Sequence, residues 1–312
     1  MPKLHPQIEK VLEAMAKLDL KPIEAMTPDE ARRQMEVMAA SRKAETLPVA
    51  RVENRTIPGP AGAIPVRIYW PNGAGVRPAI VYYHGGGHVI GSLDSHDLIA
   101  RNLCGGAEAI VVSIDYRMGP EHRFPAAVDD SVAALDWVAA NAASLGADPE
   151  RLGVHGDSAG ANLAAVVAII ARDWGAPKLR LQSLVYPVAD FRMGSDSYKK
   201  FATGCGILTA DAMKWFRGHY LSKPDDAKDW RASPLLAPDL KGVAPAIVIA
   251  AECDVLHDEG FEYGERLKAA GVPVERHEYP GMIHAFFGMM PAVDDALDAQ
   301  RQVWAAFKKA FS

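Results

Sequence analysis

The chain has 312 residues, 49% of them hydrophobic and 23% charged, an ordinary globular composition that excludes a disordered, collagen-like or small disulfide-stapled protein. Its 34 Lys and Arg against 39 Asp and Glu leave a net charge of −5, which argues against a nucleic-acid partner, since such proteins present a basic face. The longest uninterrupted apolar run, Leu163 to Ala171, is 9 residues, well short of the roughly 20 needed to span a bilayer.

The N-terminus is charged throughout and lacks the apolar core of a signal peptide, so a cytoplasmic location is expected. Cys104, Cys205 and Cys253 are odd in number and form no C-x-x-C pair; buried, reduced thiols are expected rather than a disulfide framework or a zinc knuckle. The length suits two domains or one large α/β domain with insertions.

The first predicted elements are two amphipathic helices, one near Pro6 to Leu18 and one from Thr27, where Thr27-Pro28-Asp29-Glu30 reads as an N-cap, a proline at the first helical position and a capping-box glutamate. From about Ala50 the pattern turns extended, with strands over Arg51 to Ile57 and Ile64 to Trp70. Short apolar runs follow at Ala79 to Tyr83, Ala109 to Ile114, Leu152 to His155, Leu181 to Tyr186 and Ala246 to Ala251, as expected of parallel strands buried on both faces. Helical patterns alternate with them around Leu98 to Cys104, Ala126 to Ala143, Ala161 to Asp173 and Glu259 to Ala270. This alternation predicts an α/β fold with a mostly parallel central sheet flanked by helices. Asp190 to Ser233 breaks the rhythm: it holds Gly194, Gly204 and Gly206, a helical piece over Met213 to Tyr220 and no strand signal, and reads as an insertion.

Ligands of such sheets sit at the carboxyl ends of the strands, so the residues just beyond each strand carry the functional signal. After the strand ending near His155 comes Gly156-Asp157-Ser158-Ala159-Gly160, a G-x-S-x-G sequence entering a helix at once. Small residues are needed there because the turn forces the serine into a strained conformation with no space for bulk. His84-Gly85-Gly86-Gly87 follows the strand Ala79 to Tyr83; chance would produce H-G-G-G only ~0.006 times in a chain of this composition. Its glycines let backbone N–H groups approach a ligand oxygen, and the Ala159 N–H at the helix N-terminus completes an oxyanion site.

A serine hydroxyl needs a base, and the base needs an orienting group. Asp254 and His284 follow the strands Ala246 to Ala251 and Val274 to Tyr279, which gives the chain order Ser, Asp, His. The remaining histidines, His5, His96, His122, His155, His219, His257 and His277, read as structural or surface residues. His84 and His88 lie in a glycine loop rather than on a helix, so no metal site is expected. Asp129 and Asp130 read as a solvated or capping face.

With these motifs in hand, the sequence resembles the bacterial hormone-sensitive-lipase-like (family IV) esterases of the α/β-hydrolase superfamily, from about Ile64 to Phe311. The likeness rests on the H-G-G-G stretch at His84, Asp115-Tyr116-Arg117, Pro120-Glu121-His122, Phe124-Pro125-Ala126-Ala127, the pentapeptide around Ser158, Asp254 with Asp258-Glu259-Gly260, and His284-Ala285-Phe286. The resemblance implies hydrolysis of short- to medium-chain carboxylic esters without metal or cofactor, through Ser158, His284 and Asp254. It also implies that Gly86 and Gly87 donate to the oxyanion together with Ala159, and that a homodimer can form. Residues 1–44 match that family's N-terminal cap, leaving 45–312 as catalytic domain with a cap insertion at about 190–233.

The text departs from the family at His88, where an apolar aromatic is usual, and at Gly119, Ala161 and Val255; His88 would make the pocket more polar. Two other readings stay open on sequence alone: an amidase or peptidase with the same triad, and a non-catalytic small-ligand-binding homologue.

Overall fold

The strands expected to be buried on both faces lie side by side in the middle of one sheet. The computed structural model describes residues 2–18, 20–41, 44–203 and 205–312; Met1 and Gly204, which fall in the expected cap and insertion, lie outside them. The sheet is built of β1 (Arg51–Gly59), β2 (Gly62–Trp70), β3 (Arg77–Tyr83), β4 (Ile110–Ile114), β5 (Ala147–Asp157), β6 (Leu179–Val185), β7 (Ala246–Cys253) and β8 (Val274–Ile283). Their order is β1-β2-β4-β3-β5-β6-β7-β8. Only β2 pairs antiparallel, with β1 and β4; every other pairing is parallel.

Helices α1 (Pro6–Ala16) and α2 (Pro28–Ser41) precede the sheet, and α3 (Asp97–Ala107), α4 (Ala126–Ala140), α5 (Ala142–Leu145), α6 (Ala159–Trp174), α7 (Asp196–Lys200), α8 (Ala210–Tyr220), α9 (His257–Ala269) and α10 (Asp294–Phe311) follow in chain order. α3 and α10 pack on each other and on the sheet, while α6 lies against α4, β5 and β6, and α9 covers β7 and β8. Both faces of the inner strands are thereby sealed, which is why β4 is buried along its whole length and reads as Ile-Val-Val-Ser-Ile without alternation.

The differences from expectation have local causes. The helix expected over Ala126 to Ala143 divides at Asn141, whose N–H and side-chain amide both donate to the Trp137 carbonyl, at 2.9 and 2.8 Å. β5 starts at Ala147, ahead of the expected Leu152; the Asp-Pro-Glu-Arg that follows the buried Ala147 is partly exposed and lacks the apolar run of the rest of the strand. β8 runs past Tyr279 to Ile283 by taking Gly281 at φ +67° and shifting register between Ala251 and Cys253. Helix α10 has no counterpart among the expected elements. Its buried face is a regular apolar stripe through Ala296, Ala299, Val303 and Phe307, and it also includes Gln300, which donates to the Phe287 carbonyl at 2.8 Å and accepts from Asn102 at 3.2 Å.

The capping box of α2 forms as expected: Glu30 accepts from the Thr27 N–H at 2.9 Å and its own N–H reaches Thr27 Oγ1 at 3.3 Å. Among the described residues, 190–233 hold no strand. Helix α8 meets the N-terminal segment through Trp215, whose indole N–H donates to the Met26 carbonyl at 3.1 Å.

Candidate active site

The turn between β5 and α6 consists of one residue, Ser158, with φ +56° and ψ −117°. An L-residue is strained in that region, and its neighbours hold it there. The Ser158 N–H donates to the Val185 carbonyl at 2.8 Å, and its carbonyl accepts from Asn162 at 3.1 Å. Packing explains the flanking glycines: a Cβ on Gly156 would overlap the Gly160 carbonyl, and one on Gly160 would overlap the carbonyl of Tyr83. The Asn162 side chain braces the far side, donating to the carbonyls of Val188 and Ala232 at 2.8 and 2.7 Å.

Two further strand ends converge on that hydroxyl. Asp254 directly follows β7 and His284 directly follows β8. His284 Nε2 lies 2.9 Å from Ser158 Oγ, and His284 Nδ1 lies 2.7 Å from Asp254 Oδ2. The second carboxylate oxygen of Asp254 accepts from the Leu256 N–H at 3.0 Å, which leaves the first free for the imidazole. All three residues are buried, so water screens the relay weakly. With the carboxylate on Nδ1–H, the imidazole presents a bare Nε2 to the serine hydroxyl, the arrangement a general base requires.

The glycine loop after β3 packs on the turn. Gly86 and Gly87 take φ +115° and +61°, conformations open to glycine at little cost, and the Gly86 carbonyl accepts from Val89 and Ile90 at 3.0 and 2.9 Å to close the loop. Asp157 joins loop and turn: its Oδ1 accepts from the Gly85 N–H at 3.2 Å and from the Tyr82 hydroxyl at 2.8 Å. Burial works to raise that carboxyl, but His96, 3.5 Å away, and Tyr82 outweigh it and hold the pKa at about 2. His84 anchors the start of the loop, donating from Nδ1 to the Gly85 carbonyl at 2.7 Å and stacking on Tyr116 at 4.5 Å; burial pushes its pKa down to about 3, so it is neutral.

Two expectations need correction. Asp130 is not on a solvated face; it is buried and receives Arg117 through both Nε and Nη2 at 2.8 Å. His88 does not expose a polar edge either, because it is fully buried and stacked on Tyr220 at 3.9 Å, with Phe191 at 6.0 Å. Among the described residues, neither of its ring nitrogens has a hydrogen-bond partner.

Other residues around the site carry no local signal in the sequence. Phe216 of α8 packs on the Cα of Gly87, His96 pairs with Asp157, and Arg32 of α2 reaches the Val89 carbonyl. Among the described residues, no three His, Cys, Asp or Glu side chains converge as a metal site.

A mostly parallel sheet, a strained serine turn into a helix and a Ser-His-Asp relay from three strand ends are the architecture of an α/β-hydrolase. The α/β-hydrolase fold family profile matches residues 80–288. The carboxylesterase NlhH of Mycobacterium tuberculosis is 46% identical over 274 residues, covering 85% of each chain, and an ethyl acetate hydrolase of Pseudomonas putida is 39% identical over 284 residues, 88% of each. Among solved structures, a hyperthermophilic esterase from Pyrobaculum calidifontis superposes with a TM-score of 0.91 at 42% identity over 99% of both chains. An ester-hydrolase from the metagenome of Lake Arreo, bound to a derivative of bipyridine phosphonate, gives 0.94 at 39% identity and the same coverage. The chain belongs to the α/β-hydrolase family, in its hormone-sensitive-lipase-like branch of esterases.

Proposed function

We propose that this chain is a serine carboxylesterase acting on short- to medium-chain acyl esters, with Ser158 as nucleophile, His284 as general base and acid, and Asp254 as its orienting group. The observation that carries the reading is the unbroken relay from Asp254 Oδ2 through the imidazole to Ser158 Oγ, at 2.7 and 2.9 Å. Ser158 Oγ attacks the ester carbonyl while its proton passes to His284 Nε2. The N–H groups of Gly86, Gly87 and Ala159 receive the oxyanion, each such donor being worth about 3 to 4 kcal/mol in the transition state. His284 then protonates the leaving alcohol, and water activated by the same imidazole releases the acid.

Residues 1–44 and about 190–233 serve as a cap bounding the acyl site, a reading supported by the contact of Phe216 with Gly87. A cytoplasmic location is in keeping with the free cysteines and is checked by cell fractionation, and the homodimer that the family resemblance implies is checked by sedimentation.

The test is a paired assay of p-nitrophenyl esters of increasing acyl length and the matching anilides, with wild type and Ser158→Ala. Ester turnover by wild type alone, with anilides inert, is expected. An active Ser158→Ala refutes the triad, and turnover of anilides at the ester rate moves the assignment to an amidase.

A further inference from the structure

The oxyanion loop is held from outside the catalytic fold by one side chain of the N-terminal segment. Arg32 on α2 donates from Nε to the Val89 carbonyl at 2.9 Å and from Nη2 to the Gly119 carbonyl at 2.8 Å. Both carbonyls belong to buried residues, and a buried acceptor without a donor is costly. The guanidinium is itself oriented by Glu121, which takes Nη1 and Nη2 at 2.8 and 2.7 Å in a two-pronged pair. Forming that pair raises the Arg32 pKa and pulls the Glu121 carboxyl down to about 2.

These bonds close a ring around the glycine loop. Val89 donates back to the Gly86 carbonyl at 3.0 Å, and the Gly119 N–H donates to the His88 carbonyl at 2.8 Å. The segment from Gly86 to Val89 is thus fixed by Arg32 directly, through Val89, and indirectly, through Gly119. Gly86 and Gly87 sit at conformations that glycine leaves easily, so the loop has little stiffness of its own and the direction of its N–H groups depends on what grips its ends.

We propose that Arg32 is a positioning residue for the oxyanion hole, so that docking of helix α2 is required for turnover itself and not only for choosing the substrate. The proposal rests on the assignment of Gly86 and Gly87 as oxyanion donors. Arg32 touches no reacting atom; it keeps two N–H groups aimed at the place where charge develops. Misplacing such donors by about 1 Å costs on the order of a hundredfold in rate, whereas ground-state binding of a neutral ester is hardly affected.

The experiment compares wild type, Arg32→Ala, Arg32→Lys and Ser158→Ala at a temperature where unfolding curves show each fully folded. It measures kcat and KM for p-nitrophenyl butyrate, together with the inhibition constant of a trifluoromethyl ketone, whose tetrahedral adduct with Ser158 places an oxyanion in the hole. Arg32→Ala is expected to lower kcat roughly tenfold to hundredfold, to leave KM within about threefold, and to weaken the ketone by the same factor as kcat. Arg32→Lys keeps the charge but lacks the fork that reaches both carbonyls; it should fall between the two, and it carries the test alone if Arg32→Ala does not fold. A loss of packing alone would shift the unfolding curve without weakening the ketone. Wild-type kcat and ketone affinity in Arg32→Ala, or a change confined to KM, overturn the proposal while an inactive Ser158→Ala keeps the triad standing. An active Ser158→Ala fails the underlying assignment and the proposal with it.

Discussion

Replacing His88 by phenylalanine should change stability by an amount that depends on pH in a calculable way. The His88 ring is fully buried, with neither nitrogen hydrogen-bonded, and burial, helped by the neighbouring His84, lowers its pKa from 6.5 to about 3. The groups facing it are Tyr220, Phe191, Tyr116 and His84, the last also neutral. Because the folded pKa is depressed, the unfolded chain takes up the proton first; the stability this ring confers is complete above pH 6.5 and is lost as the pH falls toward 3. At pH 5 an unfolded imidazole of pKa 6.5 is nearly fully protonated, which favours the unfolded chain by RT ln(1 + 10^1.5), about 2 kcal/mol; at pH 8 the same quantity is under about 0.1 kcal/mol. Phenylalanine has no such proton. Its altered packing shifts stability by the same amount at both pH values, and so do the unpartnered nitrogens it removes. The advantage of His88→Phe over wild type should therefore be about 2 kcal/mol larger at pH 5 than at pH 8, read from equilibrium urea unfolding of both proteins by tryptophan fluorescence. A difference between the two pH values below about 0.5 kcal/mol would show that the ring is protonated or solvated in the native state and would refute the reasoning.

Three other outcomes follow from single contacts. Asp254→Asn keeps the hydrogen-bond geometry but favours the wrong imidazole tautomer, so kcat for p-nitrophenyl butyrate should fall about 10⁴-fold; a fall under about tenfold would remove Asp254 from the relay. Phe216→Ala opens the space above Gly87 and should raise kcat/KM for octanoate relative to acetate esters by roughly tenfold or more, and an unchanged ratio would place the acyl chain elsewhere. Asp130→Ala strands the Arg117 guanidinium, whose side chain is 26% exposed. That partial exposure puts the expected destabilisation near the low end for a buried pair, about 3 kcal/mol, and urea unfolding showing no loss would mean the arginine finds other partners.

What the sequence discloses about this molecule depends on how local each determinant is. The inner strands are legible because helices cover both their faces, so burial leaves an unbroken apolar run such as Ile110 to Ile114. The serine turn is legible for a related reason: the conformation of Ser158 leaves no space for a Cβ at Gly156 or Gly160, and that exclusion is written in adjacent residues. Asp254 and His284 could be proposed from chain order because they lie shortly past the expected strand ends at Ala251 and Tyr279; the strands themselves run on to Cys253 and Ile283, directly before them. Helix α10 carries its signal in the sequence too, with Ala296, Ala299, Val303, Ala306 and Phe307 buried at helical spacing, and the expected elements omit it for no structural reason.

Arg32 marks the deeper limit. A loop rich in glycine next to a catalytic serine must be stiffened by something, because glycine supplies freedom and not rigidity. The buried carbonyls of Val89 and Gly119 must also find donors. Those two requirements can be stated from the sequence, but the residue that meets them comes from 57 and 87 positions away, on a helix whose docking face no local pattern marks. An exposed-looking arginine in the first turns of an amphipathic helix reads as solvated surface. Under the proposal above it acts as a positioning residue only because the fold brings two buried carbonyls to it, so the coupling between helix α2 and the glycine loop is a property of the tertiary structure.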